Sequence, residues 1–457
     1  MRKILLAALL LVQTVGCSGS DFTIPDPVTP PAPEKPEEPE KPVVQPVKYV
    51  ASAAELKALG TLAAGTVVVW RDGSYADVQA ELRGAGTAEN PVQLRAETPG
   101  GVRFTGKSRL NLAGEHLVVS GLWWRDPVPV GGKAVVTFAK GSAACVLRDC
   151  AITGDNTPED AATDTKWVSL YGSENSVVEC TFRDKRNIGC LLVVWLETGT
   201  TPRHRIAGNS FSRPVSLYGS DGKAINGQET IRIGTSDFSM QQAACTVEEN
   251  YFYHCHGEQA EIVSNKSCGN LYRRNLFVEC RGTLTMRHGN GCTVTGNYFF
   301  GNGMDGTGGV RLIGEDHTVE YNYFEGLAGT GYRTAICLVR GQQSPALSGY
   351  FQVKNAQVRN NTIFDCKYAF NVNYASSGSD QVMPVVGTTI ADNTVVSSMV
   401  ACAATPAPQI AWRDNVLYDC KQSGLTLPAA TSAPAKPDVA AAVEAIRSGA
   451  GCAWKTE

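Results

Sequence analysis

The sequence predicts an all-β fold, a single-stranded right-handed parallel β-helix with an N-terminal capping helix, and two observations carry that expectation. Asn followed by a short apolar or aromatic run recurs at Asn209, Asn250, Asn275, Asn297, Asn322, Asn361, Asn393 and Asn415, with closest spacings of 22 to 25 residues, the length of one solenoid coil. Between these points lie short β-rich pieces such as Ile231-Arg232-Ile233, Thr293-Val294-Thr295 and Thr318-Val319-Glu320-Tyr321, broken by Gly and Asn. Three short strands per coil bury little by themselves. Stacked coils bury a continuous core.

Each repeated Asn is expected to stack its side-chain amide on the Asn of the next coil and to take the left-handed backbone of the turn. The longer intervals, Asn209 to Asn250 and Asn322 to Asn361, leave room for loops projecting over one face, the expected walls of a substrate site. Cys falls five residues after Asn at Cys255, Cys280, Cys366 and Cys420. A small apolar residue at a fixed repeat position reads as packing, so the fifteen cysteines are expected chiefly as buried free thiols, with paired disulfides as the alternative.

Taken from the start, residues 1–16 follow the secretory plan: basic Arg2 and Lys3, then an apolar run from Ile4 to Val12. Thr14-Val15-Gly16-Cys17 is similar to a bacterial lipobox, which implies lipidation of Cys17 and, with Ser18 next, retention at the outer membrane; plain cleavage and release is the alternative. Residues 17–47 are crowded with Pro, Glu and Lys and have almost nothing to bury, so they form an extended tether able to reach about 90 Å. The β-helix is assigned to 48–425. Ser52-Ala53-Ala54-Glu55 ahead of Leu56 and Leu59 is a capping box on an apolar spacing, which predicts a short helix over the first coil and its exposed strand edges. Residues 426–457 form a tail with one short helix between Asp438 and Ser448. A formal net charge of -3 argues against a nucleic-acid partner. Any attraction for an acidic ligand must be local. A monomer is expected, touching a membrane only through the lipid anchor.

The local basic cluster lies in two stretches, Gly257-Glu258-Gln259-Ala260-Glu261-Ile262-Val263-Ser264-Asn265-Lys266-Ser267 and Gly282-Thr283-Leu284-Thr285-Met286-Arg287-His288-Gly289-Asn290. Lys266 and Arg287 are 21 residues apart, close to one coil, so stacking places them on the same face. A lysine serves as a base when a neighbouring positive charge helps it shed its proton, and Arg287 supplies that field. His288 adds a group expected to titrate near neutrality.

These stretches resemble polysaccharide lyase family 6, the β-helical alginate lyases and chondroitinase B. The resemblance extends to Asp72-Gly73-Ser74-Tyr75, Gly86-Thr87-Ala88-Glu89-Asn90-Pro91, Arg95-Ala96-Glu97-Thr98-Pro99-Gly100 and Thr105-Gly106-Lys107-Ser108, and covers about residues 48 to 420. It implies β-elimination from an acidic polysaccharide, with Lys266 as general base, Arg287 as general acid and His288 assisting. It also implies calcium held by an Asn and a Glu-x-Glu pair, which maps onto Asn226 and Glu261. The first acid of the pair falls on Gln259, with Glu258 one residue earlier, so Asn226, Glu258 and Glu261 are the candidate ligands. Neutralisation by basic side chains without a metal is the alternative. Arg311 and Tyr332 are candidate substrate contacts. Alginate, with mannuronate favoured by resemblance, is the expected substrate, and dermatan sulfate the runner-up. A β-helical hydrolase would need paired carboxylates flanking the scissile bond. A non-catalytic binding solenoid would not need Lys266 and Arg287.

Overall fold

The computed structural model describes residues 47–154 and 159–454. The expected signal peptide, the lipidation site at Cys17 and all of the tether but Val47 lie outside the described residues. The described strands form three parallel sheets of 14, 13 and 14 strands, each joining every third strand of the chain once the first coil is past. This is the single-stranded parallel β-helix that the repeat predicts. Helix is confined to short pieces. Ala53–Ala58 opens on the capping box: Glu55 N donates to Ser52 Oγ at 3.2 Å and Ala51 N to Glu55 Oε2 at 2.8 Å. Leu56 on this helix is buried over the first coil. A second helix, Ala440–Gly449, lies against the outside of the solenoid through Val443, which packs with Leu276 and Val278.

The Asn repeat builds a ladder. From Asn209 to Asn415 each side-chain Nδ2 donates to the Oδ1 of the Asn one coil on, at 2.9–3.0 Å. Each of these Asn residues also donates to a strand carbonyl, as Asn297 does to Tyr272 O at 3.0 Å. The turn itself departs from expectation. The left-handed residue is the one before the Asn, at Gly208, Glu249, Arg274, Gly296, Tyr321, Asn360, Asp392 and Asp414. The Asn amide is thereby free to point inward, where it satisfies buried backbone groups. Beside the ladder Phe182, Phe211, Phe252, Phe277, Phe299 and Phe324 stack with centroids 4.4–5.2 Å apart. The fourteen described cysteines are free thiols, most of them buried.

Asn297→Ala removes a buried amide whose partners, Asn275 N and Nδ2 and Asn322 Oδ1, have no water to turn to. Urea denaturation should register a loss of about 3 kcal/mol, since each orphaned buried group costs about 1–3 kcal/mol. A loss under about 1 kcal/mol would mean that the ladder closes over the gap.

Candidate active site

The third sheet bears the site on its outer face. Its strands Glu261–Lys266 and Gly282–His288 pair in parallel, and the register breaks twice. At the first break Glu261 pairs with Thr283 and Val263 with Leu284, so Ile262 is extra, and both Ile262 and Val263 turn into the core. The bulge brings Glu261 out to the face that Lys266 occupies; five residues of regular strand would have set them on opposite faces. At the second break Asn265 pairs with Met286 and Lys266 with His288. Arg287 is the extra residue, and Arg287 and His288 together oppose Lys266. Asn265 anchors the break from inside, donating to His288 O and Ser267 O at 2.8 Å and accepting from Tyr272 OH at 2.8 Å.

Lys266, Arg287, His288, Arg311, Tyr332, Asn226, Glu258 and Glu261 all line one cleft of about 450 Å³. Its walls come from the loop before Ile231, the segment 340–356 and Tyr374, so both long repeat intervals contribute. Among the described residues the Lys266 ammonium has no hydrogen-bond or ion-pair partner. Arg287 is tied down: Nη1 donates to Gly349 O at 2.8 Å and to His288 Nε2 at 2.9 Å, Nη2 donates to Ser348 O at 3.0 Å, and Tyr350 lies under the guanidinium at 4.2 Å. Burial lowers its pKa, which eases loss of a proton.

His288 does not titrate near neutrality as its type suggests. Burial, with Arg287 beside it, holds it down at about 4, and because arginine can only donate, Nε2 must be the acceptor of a neutral ring. Burial likewise lowers His204, His256 and His317 to about 4. A histidine whose folded pKa lies below its unfolded value of about 6.5 takes up protons more readily in the unfolded chain. Stability is therefore full above about pH 6.5 and falls as pH drops towards 4. Urea midpoints measured at pH 7 and pH 5 should show this decline, and His288→Asn should make it shallower.

The acidic side of the cleft is rearranged relative to the expected ligand set. Glu229, Glu258 and Glu261 present carboxylate oxygens within 4.8 Å of one another. Glu229, which sequence reasoning missed although it stands three residues after Asn226, accepts from the Cys190 thiol at 3.1 Å. Glu258 accepts from Gly227 N at 2.9 Å, and burial beside two further carboxylates pushes it up to about 8. Gln259 turns away towards Ser216 and Tyr218. Glu261 forms a buried ion pair with Arg311, whose guanidinium also lies 4.6 Å from the Tyr332 ring centroid. Three converging carboxylates need a proton or a cation, and an all-oxygen set suits calcium. The loop is braced from below by Arg213, which donates to Gln228 O and Gly189 O at 2.9 Å. Tyr350 and Arg213 left no signal in the sequence, since neither belongs to a spaced motif.

The family model for chondroitinase B matches residues 50–426. The chain belongs to polysaccharide lyase family 6, the chondroitinase B family. Among solved structures, the PL6 family alginate lyase AlyGC is similar at 33% identity and a TM-score of 0.75, over 82% of this chain and 52% of that one. This chain thus spans about half the length of AlyGC. A mannuronic acid specific polysaccharide family 6 lyase from human gut microbiota is similar at 25% identity and a TM-score of 0.71, over 90% of this chain and 96% of that one. The family 6 lyase Pedsa3628 from Pseudopedobacter saltans, at 23% identity and a TM-score of 0.69 over 90% of this chain and all of that one, shares the fold. A search of curated proteins returns no match.

Proposed function

We propose that this family 6 chain cleaves alginate, mannuronate-containing stretches above all, by β-elimination. The observation that carries the reading is the double bulge, which turns a lysine unpartnered among the described residues, a half-buried arginine and a carboxylate cluster into one cleft. Lys266 Nζ takes the proton from C5 of the uronate. The electron pair left behind forms the C4–C5 double bond, the C4–O4 bond breaks, and O4 takes a proton from Arg287. His288, neutral and hydrogen-bonded to Arg287, holds that guanidinium in place. Arg311 and Tyr332 stand where the sugar carboxylate and hydroxyls would lie.

Glu229, Glu258 and Glu261, with Asn226 beside them, would hold calcium. When bound, it supplies positive charge that acidifies C5 by drawing on the neighbouring carboxylate. Two observations favour alginate over a sulfated chain. The mannuronic acid specific lyase matches over nearly its whole length. Beyond Tyr332, the basic residues Arg333 and Arg340 are engaged with backbone carbonyls, Arg333 with Gln259 O at 3.0 Å and Arg340 with Asn373 O at 2.8 Å and Thr405 O, rather than poised for sulfate.

The test is incubation with mannuronate-rich alginate, guluronate-rich alginate and dermatan sulfate, each with and without a chelator, following ultraviolet absorbance of the unsaturated uronate. Absorbance should rise fastest on mannuronate-rich alginate and slow with the chelator. A new reducing end without absorbance would mean hydrolysis. The same reading places the monomer outside the cytoplasm, lipidated at Cys17 and held at the outer membrane by its tether; Cys17→Ala should release it from membranes.

A further inference from the structure

The face that bears the cleft does not end there. One outward row on the third sheet runs Glu81, Asn111, Thr137, Ser169, Val193, Arg232, Ser264, Thr285 and Arg311, partner to partner. A second groove, of about 670 Å³, lies along this row on the N-terminal side of the cleft. Its floor is aromatic. Tyr171 and Trp195, at the same position on neighbouring coils, stack with centroids 5.8 Å apart and planes 11° from parallel, and both are half-exposed. Trp195 is fixed by donating from Nε1 to Ser169 Oγ at 3.1 Å and by the Arg232 guanidinium 5.4 Å from its ring centroid.

The position after Trp195 in this column is Gly234, and the one after that is Lys266. Gly234 has φ +87°, and a Cβ there would fall 2.4 Å from Lys266 O. Gly234 therefore carries no side chain into the column between the aromatic pair and Lys266. Cations flank it: Arg109, Lys133 and Lys166 line the groove, and Arg232 stands at the Trp195 end. The acids there are already answered, Asp164 by Lys166 at 2.6 Å and Glu81 by Arg83 at 3.0 Å and Asn111 at 2.8 Å.

An aromatic floor with cationic rims is built for a chain of sugars whose C–H faces lie flat and whose carboxylates point sideways. We propose that this groove is a distal binding track for the same acidic polysaccharide strand that enters the cleft. This deepens the reading given above and rests on it. Trp195 lies two coils from Lys266, Tyr171 three and Arg109 five. Coils are ~4.8 Å apart, about the advance of one pyranose unit. A trisaccharide across the scissile bond thus reaches no further than Trp195, while a polymer covers the whole track.

The test is the Tyr171→Ala/Trp195→Ala variant assayed on mannuronate-rich alginate polymer and on its trisaccharide. KM for the polymer should rise about tenfold, the size of one or two well-placed aromatic contacts, while the trisaccharide, which can touch Trp195 at most and never Tyr171, loses no more than about threefold. Trp195→Phe, which keeps a ring, should restore most of the polymer affinity. Equal losses on both substrates would overturn the proposal in favour of a structural role, and so would an unchanged polymer KM. Retardation in alginate gels gives a readout free of catalysis: Lys266→Ala should be retarded, and Lys266→Ala combined with Tyr171→Ala/Trp195→Ala less so. If the parent protein gives no unsaturated product on any polymer, the lyase reading falls while the gel result still decides the track. Should the double variant fail to fold, Lys133→Ala, which removes an exposed cation lining the groove, must weaken gel retardation by itself or the proposal fails.

Discussion

Lys266→Ala is expected to lower kcat on alginate by about 10³-fold, the contribution of a well-placed general base, with little change in KM. The lysine is half-buried at the end of its strand and, among the described residues, makes no ion pair or hydrogen bond that folding would miss. The thermal midpoint should therefore match the parent. Single-turnover absorbance isolates the chemical step. Activity within tenfold of the parent would remove Lys266 from the base role and direct attention to Arg287, whose lowered pKa makes it the next candidate.

Glu261→Ala is expected to cost about 3–5 kcal/mol of unfolding free energy, because it strands the Arg311 guanidinium in a buried site. The side chains of this pair are 8% and 6% exposed, so solvent cannot take over from the lost partner. Glu261→Leu/Arg311→Met, apolar on both sides, should recover most of that loss. The recovered protein should still turn over slowly, because the cleft has lost both a carboxylate of the cluster and a cation facing the substrate. Chemical denaturation of the single and double variants gives the coupling directly. A single variant as stable as the parent would show that the pair is open to water.

How much of this was legible beforehand depends on which interactions leave a spacing in the chain. The Asn ladder did, because each amide bonds to its own kind one coil away, and identical residues must then recur at the coil length. Lys266 and Arg287 did because a separation close to one coil sets them on adjacent strands of one sheet. The left-handed position did not. It precedes the Asn and is filled by Glu, Arg, Tyr or Asp as readily as Gly, so the residue type hides the conformation. Tyr350 reaches Arg287 from a loop more than sixty residues on, a contact that depends on loop path rather than period. Glu229 was overlooked because the family resemblance gave weight to Asn226, whereas burial and the Cys190 thiol single out the glutamate three residues on. His288 misled through its type. Its surroundings, and not its intrinsic basicity, keep the ring neutral.

The two register breaks around Lys266 make the chemistry a property of alignment rather than of residue identity alone. A residue inserted in a turn of this solenoid would lengthen a loop and leave every inward and outward assignment intact. The same insertion between Thr283 and Met286 would act as a frameshift in space. Met286 would turn out to the cleft and Arg287 in to the core, with every proposed catalytic side chain still present in the sequence. Active sites in this scaffold can therefore be silenced, or rebuilt, by counting residues along a single strand.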